Sequence, residues 1–130
     1  MKILVANDTY PPDVNGSAYF TRRLAEGLAG RGHEVHVLCP ALDRRGGTVE
    51  RSGMVEHRVP SLALPGQRGF RVVPPAGSRR HARRVLAAVA PDVVHLQGHL
   101  VLGRALLAEA RAAGVPVVAT NHFMPDNLVP

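Results

Sequence analysis

The chain has 130 residues, 45% of them hydrophobic, and carries a formal net charge of +6. That length allows at most one domain; it hides roughly two thirds of its unfolded surface on folding, and the apolar content excludes wholesale disorder. The charge is nearly all arginine, with Lys2 the only lysine, and such a surplus favours nucleic acid, anionic membrane or phosphorylated ligands without choosing among them.

Lys2–Ala6 is an apolar run of strand length, entered directly without the pattern of a secretory leader. Asn7–Ser17 is a turn-rich loop. Ala18–Arg31 has helical spacing, with Ala18, Thr21, Leu24, Ala25 and Leu28 on one stripe. Gly32 stops that helix and Glu34–Cys39 reads as a second strand. Cys39 is the only cysteine, so no disulfide forms within the chain, and a reducing cytoplasm fits. These pieces make a βαβ unit with a right-handed crossover and parallel strands. Ligands of such units bind at the carboxyl ends of the strands, which is where the loop from Asn7 to Ser17 lies.

Asp43–Gly47 is a turn. Thr48–Ser52 and Met54–Val59 flank Gly53 and read as a hairpin or a bent strand. Ser61–Gly77, with three prolines, is a loop or several short pieces. Ser78–Ala90 is a helix with Ser78 as candidate N-cap and an apolar stripe of Ala82, Val85, Leu86 and Val89. Asp92–Leu96 is a third core strand, Leu100–Ala113 another helix ended by Gly114, and Val115–Thr120 a fourth core strand. Alternating strands and helices predict an α/β, Rossmann-like parallel sheet with helices on both faces. A doubly wound sheet normally continues past such a strand, so the chain is expected to be a fragment or truncated product. No apolar run reaches the roughly 18–20 residues of a membrane span.

The loop Asp8-x-Tyr10-Pro11-Pro12-x-x-Asn15-Gly16-Ser17 carries the first candidate chemistry. Gly16 lets backbone approach a ligand closely, and Ser17 is placed to cap a helix whose N-terminal N–H groups favour an anion such as a diphosphate. The loop is neither the G-x-G-x-x-G of a dinucleotide site nor a P-loop. Spacing alone equally allows a proline-stiffened turn with a capped helix. Arg79, Arg80, Arg83 and Arg84 lie at i, i+1, i+4 and i+5, one cationic helix face. That face is either simply solvated or docks on anionic lipid, with Leu62, Leu64 and Phe70 adding apolar contact. No metal-ligating spacing stands out, and no nucleic-acid recognition pattern occurs.

Three stretches together resemble the opening of family 4 glycosyltransferases: Asp8-x-Tyr-x-Pro-x-x-Asn-Gly16, Leu24-Ala-Glu-Gly-Leu28, and Arg31-Gly-His-Glu-Val-His-Val-Leu38-x-Pro40. The likeness runs on through Pro91-Asp-Val-Val-His95 and Ala119-Thr-Asn-His122. Its flavour is that of lipid glycosyltransferases such as phosphatidylinositol mannosyltransferases and diacylglycerol glucosyltransferases. The resemblance implies the N-terminal, acceptor-side half of a retaining GT-B enzyme. Such an enzyme moves a hexose from a nucleotide sugar, GDP-mannose or UDP-glucose, to a lipid or glycan hydroxyl, with no cofactor and no metal. The E-x7-E nucleotide pocket would belong to a carboxyl-terminal domain that these residues lack. The resemblance further implies a cytoplasmic protein, peripheral on the inner face of the membrane and in contact with its anionic surface. His99 and His122 are the implied catalytic residues, with Gln97 competing for the place of His99. Tyr10, Asn15, Gly16, Ser17 and Gln97 are the implied substrate contacts. Arg31–Val35 is a structural signature, and His95 is more a strand residue than a reacting group. The competing reading is a noncatalytic Rossmann-like module binding an anionic ligand or a membrane surface.

Overall fold

The structure is a computed structural model and describes residues 1–63, 65–66 and 71–122. In chain order the elements are β1 (Lys2–Ala6), α1 (Gly16–Gly30), β2 (Glu34–Pro40), β3 (Gly47–Arg51), β4 (Met54–Val59), β5 (Leu62–Ala63), β6 (Arg71–Val72), α2 (Ser78–Val89), β7 (Val93–Leu96), α3 (Val101–Ala113) and β8 (Val117–Ala119). Six strands form one sheet in the order β3-β4-β2-β1-β7-β8, and β5 pairs with β6 apart from it. Every pairing in the large sheet is parallel except β3 with β4. The sequence 48–59 is therefore a hairpin whose outer strand runs against the rest.

Strand alternation sorts the core into two layers. Ile3, Val5, Val35, Val37, Cys39 and Met54 pack with Ala25 of α1 on one face. Leu4, Ala6, Leu38, Val94 and Leu96 pack with the stripes of α2 and α3 on the other. The stripe expected on α2, Ala82, Val85, Leu86 and Val89, is the buried one. Central β1 is buried from Ile3 to Ala6, because both its edges and both its faces are covered.

The differences from the sequence expectations have local causes. α1 begins at Gly16, two residues early, because Asn15 rather than Ser17 caps it: Asn15 Oδ1 accepts from Ala18 N at 2.8 Å. Ser78 is likewise not a cap but the first residue of α2. The cap position is Gly77 at φ +83°, and Ser78 Oγ donates to Pro75 O. β8 is three residues long rather than six, since Pro116 has no N–H to give a ladder. Among the described residues it stands at the end of the sheet order, with Val118 half exposed. Leu64 and Phe70, expected as apolar membrane contacts, lie outside the described residues.

Candidate active site

The site forms at the carboxyl ends of β1 and β7, where the sequence reading placed a ligand. Asn7, the residue after β1, is buried. Its Nδ2 donates to Ser17 Oγ at 2.9 Å and Thr21 Oγ1 at 2.8 Å, which ties the strand end to the first turns of α1. Asn15 caps the helix and donates to Thr9 Oγ1 at 2.6 Å. Both expected ligand contacts, Asn15 and Ser17, thus serve the loop itself, although the Ser17 hydroxyl keeps its own hydrogen to donate. Gly16 differs. A Cβ built there meets nothing within 4 Å, and its φ lies outside the left-handed region. Nothing in the fold demands a glycine at 16, and the space beside it is open.

Tyr10 is corrected. It is 2% exposed and packs in the α1-side core, below the Arg58 guanidinium, whose carbon lies 5.5 Å from the ring centre. It supports the loop from inside the core; burial, then Glu56, pushes its phenol well up. Arg58 in turn bonds Glu56 Oε1 at 2.9 Å and donates to the carbonyls of Pro40 and Pro11. This buried pair holds the loop after β1 against the end of β2. Between the Pro11–Pro12 turn, Tyr19 and Arg22 of α1, and β3 lies a cavity of about 580 Å³. Arg51 and Asp43 also line it.

Asp8 heads the loop motif, but its role is set by a contact that motif reading did not give. Its carboxylate accepts from Leu100 N at 3.0 Å, Leu102 N at 2.6 Å and Gly103 N at 3.3 Å. It fills the N-terminus of α3 from the end of the neighbouring strand, so that helix end already holds its anion. Burial nevertheless holds the carboxyl above its ordinary value, against the pull of those three N–H groups. The approach is close: a Cβ on Gly98 would stand 2.6 Å from Asn7 Oδ1 and 2.7 Å from Asp8 Oδ2, and one on Gly103 would collide with Gly98 O. No sequence pattern links positions 8, 98 and 103, because the contact is made only when β1 and β7 pair.

Around Thr120 the histidines gather. His99 Nε2 meets Thr120 O at 3.1 Å. His95 Nε2 and Gln97 Nε2 meet Thr120 Oγ1 at 2.9 and 3.1 Å. His122 Nε2 meets Gln97 Oε1 at 2.6 Å. The His122 ring also stands edge-on to Phe20 at 5.0 Å, and Phe20 is one turn along α1 from Gly16. His99 and His122 are thus joined through Thr120 and Gln97, and His122 meets α1 at Phe20, one turn from Gly16. Gln97, an expected substrate contact, is 1% exposed, and both ends of its amide are bonded within this cluster. Burial, then His99, lowers the pKa of His122 below the ordinary imidazole value, and burial, then His122, does the same to His95. Both shifts favour the neutral imidazole at His122 and His95. Among the described residues no group of three or more His, Cys, Asp or Glu could hold a metal ion.

The basic face of α2 is not uniform. Arg79 Nε donates to Glu109 Oε1 of α3 at 3.1 Å, and Arg83 grips both carboxylate oxygens at 3.1 Å. Arg84 instead donates to His81 Nδ1 at 2.9 Å. Two of the four arginines therefore share the one carboxylate of Glu109 on the next helix. Among the described residues no helix is long and apolar enough to cross a membrane.

The profile of Glycosyltransferase Family 4 matches residues 14–129. A GDP-mannose-dependent alpha-mannosyltransferase of Mycolicibacterium smegmatis is 35% identical over 121 residues, 92% of this chain and 32% of that protein. An alpha-monoglucosyldiacylglycerol synthase of Acholeplasma laidlawii is 30% identical over 124 residues, 94% of this chain and 30% of that protein. The chain spans about a third of the length of the curated relatives it matches. Among solved structures, sucrose-phosphate synthase of Thermosynechococcus elongatus superposes with a TM-score of 0.69 at 15% identity, over 95% of this chain and 33% of that one. The Rossmann-like α/β architecture is that of the GT-B glycosyltransferases.

Proposed function

The chain belongs to glycosyltransferase family 4, and on that premise we propose that it is the acceptor-side half of a retaining glycosyltransferase. It moves a hexose from a nucleotide sugar to a lipid or glycan hydroxyl. Mannose from GDP-mannose is favoured over glucose from UDP-glucose, following the named donor of the mycobacterial relative. A lipid acceptor is suggested by the diacylglycerol relative. The observation that supports the reading is the gathering of His99 and His122 about Thr120 at the carboxyl end of β7, with His122 against Phe20, one turn of α1 from the open Gly16 position.

In this reading the reacting sugar and the attacking hydroxyl sit against the two imidazoles. The leaving diphosphate lies toward the first turn of α1, where the Gly16 and Ser17 N–H groups precede the first intrahelical bond and favour an anion. No metal is needed, because fixed N–H dipoles offset the charge that develops on the leaving group. The cavity beside Tyr19 is large enough for an acceptor headgroup. The nucleotide pocket, with its E-x7-E element, belongs to a second βα domain outside these residues. The protein is cytoplasmic and docks peripherally on the inner membrane face through Arg80 and Arg84. Family membership disfavours the noncatalytic module.

The test is a chimera of residues 1–130 joined to the remainder of the Mycolicibacterium smegmatis relative, supplied with labelled GDP-mannose or UDP-glucose and total membrane lipid. Transfer with retention of anomeric configuration, lost in His122→Ala, is expected. A folded chimera that transfers neither sugar overturns the reading.

A further inference from the structure

The bonds around Thr120 determine where the imidazole hydrogens sit. A carbonyl oxygen only accepts, so His99, whose Nε2 meets Thr120 O, carries its hydrogen on Nε2 and leaves Nδ1 bare. Gln97 gives an N–H to Thr120 Oγ1 and presents its amide oxygen to His122 Nε2. That oxygen also only accepts, so His122 is the Nε2–H tautomer. The Thr120 hydroxyl both accepts and donates; we assign its hydrogen to His95 Nε2, which puts the His95 hydrogen on Nδ1. The four groups form a chain with one direction. Reversing the amide of Gln97 would reverse Thr120, His95 and His122 together. Gln97 is closed off from solvent, and among the described residues its amide bonds Thr120 and His122.

We propose that Gln97 and Thr120 are positioning residues that hold His99 and His122 with bare Nδ1 atoms, so that this rim accepts hydrogen bonds from the hydroxyls of a sugar or acceptor and does not donate to phosphate. The inference rests on the proposed role of the rim and narrows its ligand class. A diphosphate oxygen has no hydrogen to offer a bare nitrogen, so the phosphates lie elsewhere, toward α1.

Tautomers are read directly by long-range proton–nitrogen correlation NMR on the histidine-labelled chain at pH 7.5. His99 and His122 are expected as Nε2–H and His95 as Nδ1–H. In Gln97→Glu the new carboxylate accepts from both neighbours. Thr120 then turns toward it, His95 switches to Nε2–H, and His122 titrates at least ~1 pH unit higher. Thr120→Val removes the partner of His95 while leaving the His122 tautomer intact. Methyl α-mannopyranoside is expected to shift the Nδ1 resonance of His122, and inorganic pyrophosphate is not. A wild-type His122 carrying its hydrogen on Nδ1 overturns the proposal even if the substituted chains fail to fold. So does a Gln97→Glu chain in which neither His95 nor His122 changes, or a His122 Nδ1 shifted by pyrophosphate and not by the mannoside. The tautomers are measured without turnover, so a chimera that transfers no sugar and a His122 of the wrong tautomer are separate failures.

Discussion

Two glycines at the same rim have opposite physical reasons. At Gly98 an added methyl would enter the space of Asn7 and Asp8, and these are backbone or tightly bonded groups that cannot yield. Gly98→Ala is expected to cost about 1–3 kcal/mol, read as a lower urea midpoint at unchanged m-value. At Gly16 the same methyl meets nothing, so Gly16→Ala should leave stability equal or up to ~1 kcal/mol higher. In the chimera that substitution should still lower transfer. A Gly16→Ala chain that unfolds would show the glycine to be structural. Among titrating groups, His57 meets His36 at 2.9 Å. Burial, then His36, lowers its pKa from the ordinary 6.5. The unfolded chain therefore binds this proton before the folded chain does as pH falls. The contribution of His57 is complete above pH 6.5 and shrinks below it. The urea midpoint should fall between pH 7 and pH 5, and His57→Gln should flatten that fall; an unchanged slope would refute the assignment.

At the scale of elements, each helix is held by a partner from elsewhere in the chain. α3 takes its N-terminal anion from Asp8, more than ninety residues away in sequence. Asp8→Ala is expected to cost about 0.5–2 kcal/mol as a lost cap, with amide exchange accelerating first in the opening turn of α3. α2 meets α3 through Glu109, which holds Arg79 and Arg83; Arg83 in turn draws the Glu109 carboxyl below its ordinary value. Both arginines are largely exposed, and such pairs add little stability. Glu109→Gln should therefore leave the melting temperature nearly unchanged while releasing two cations. Co-sedimentation with phosphatidylglycerol vesicles should then rise, and Arg80→Ser with Arg84→Ser should weaken it more than Arg79→Ser with Arg83→Ser. Equal binding by all these variants would retire the membrane face.

At the scale of the molecule, the sheet order puts β1 at the centre, with the α1 loop on one side of its carboxyl end and the Thr120 cluster on the other. We expect the 130 residues alone to transfer no sugar, since the proposed nucleotide pocket lies in another domain. Turnover of a nucleotide sugar by the purified chain would show that the donor site has been misplaced.

Periodicity and turn chemistry were enough for most element types, the buried stripe of α2 and the parallel βαβ opening. These follow from spacing along the chain, which any local stretch contains. What tertiary structure alone decided is which polar side chains are already spent. Tyr10 went into the core, Gln97 into a bond with His122, Asp8 onto α3, and Arg79 and Arg83 onto Glu109. Each of those partners is distant in sequence or on another element. A side chain's freedom to meet a ligand depends on what the folded neighbours have taken from it, and no pattern of residues along a single strand or helix encodes that.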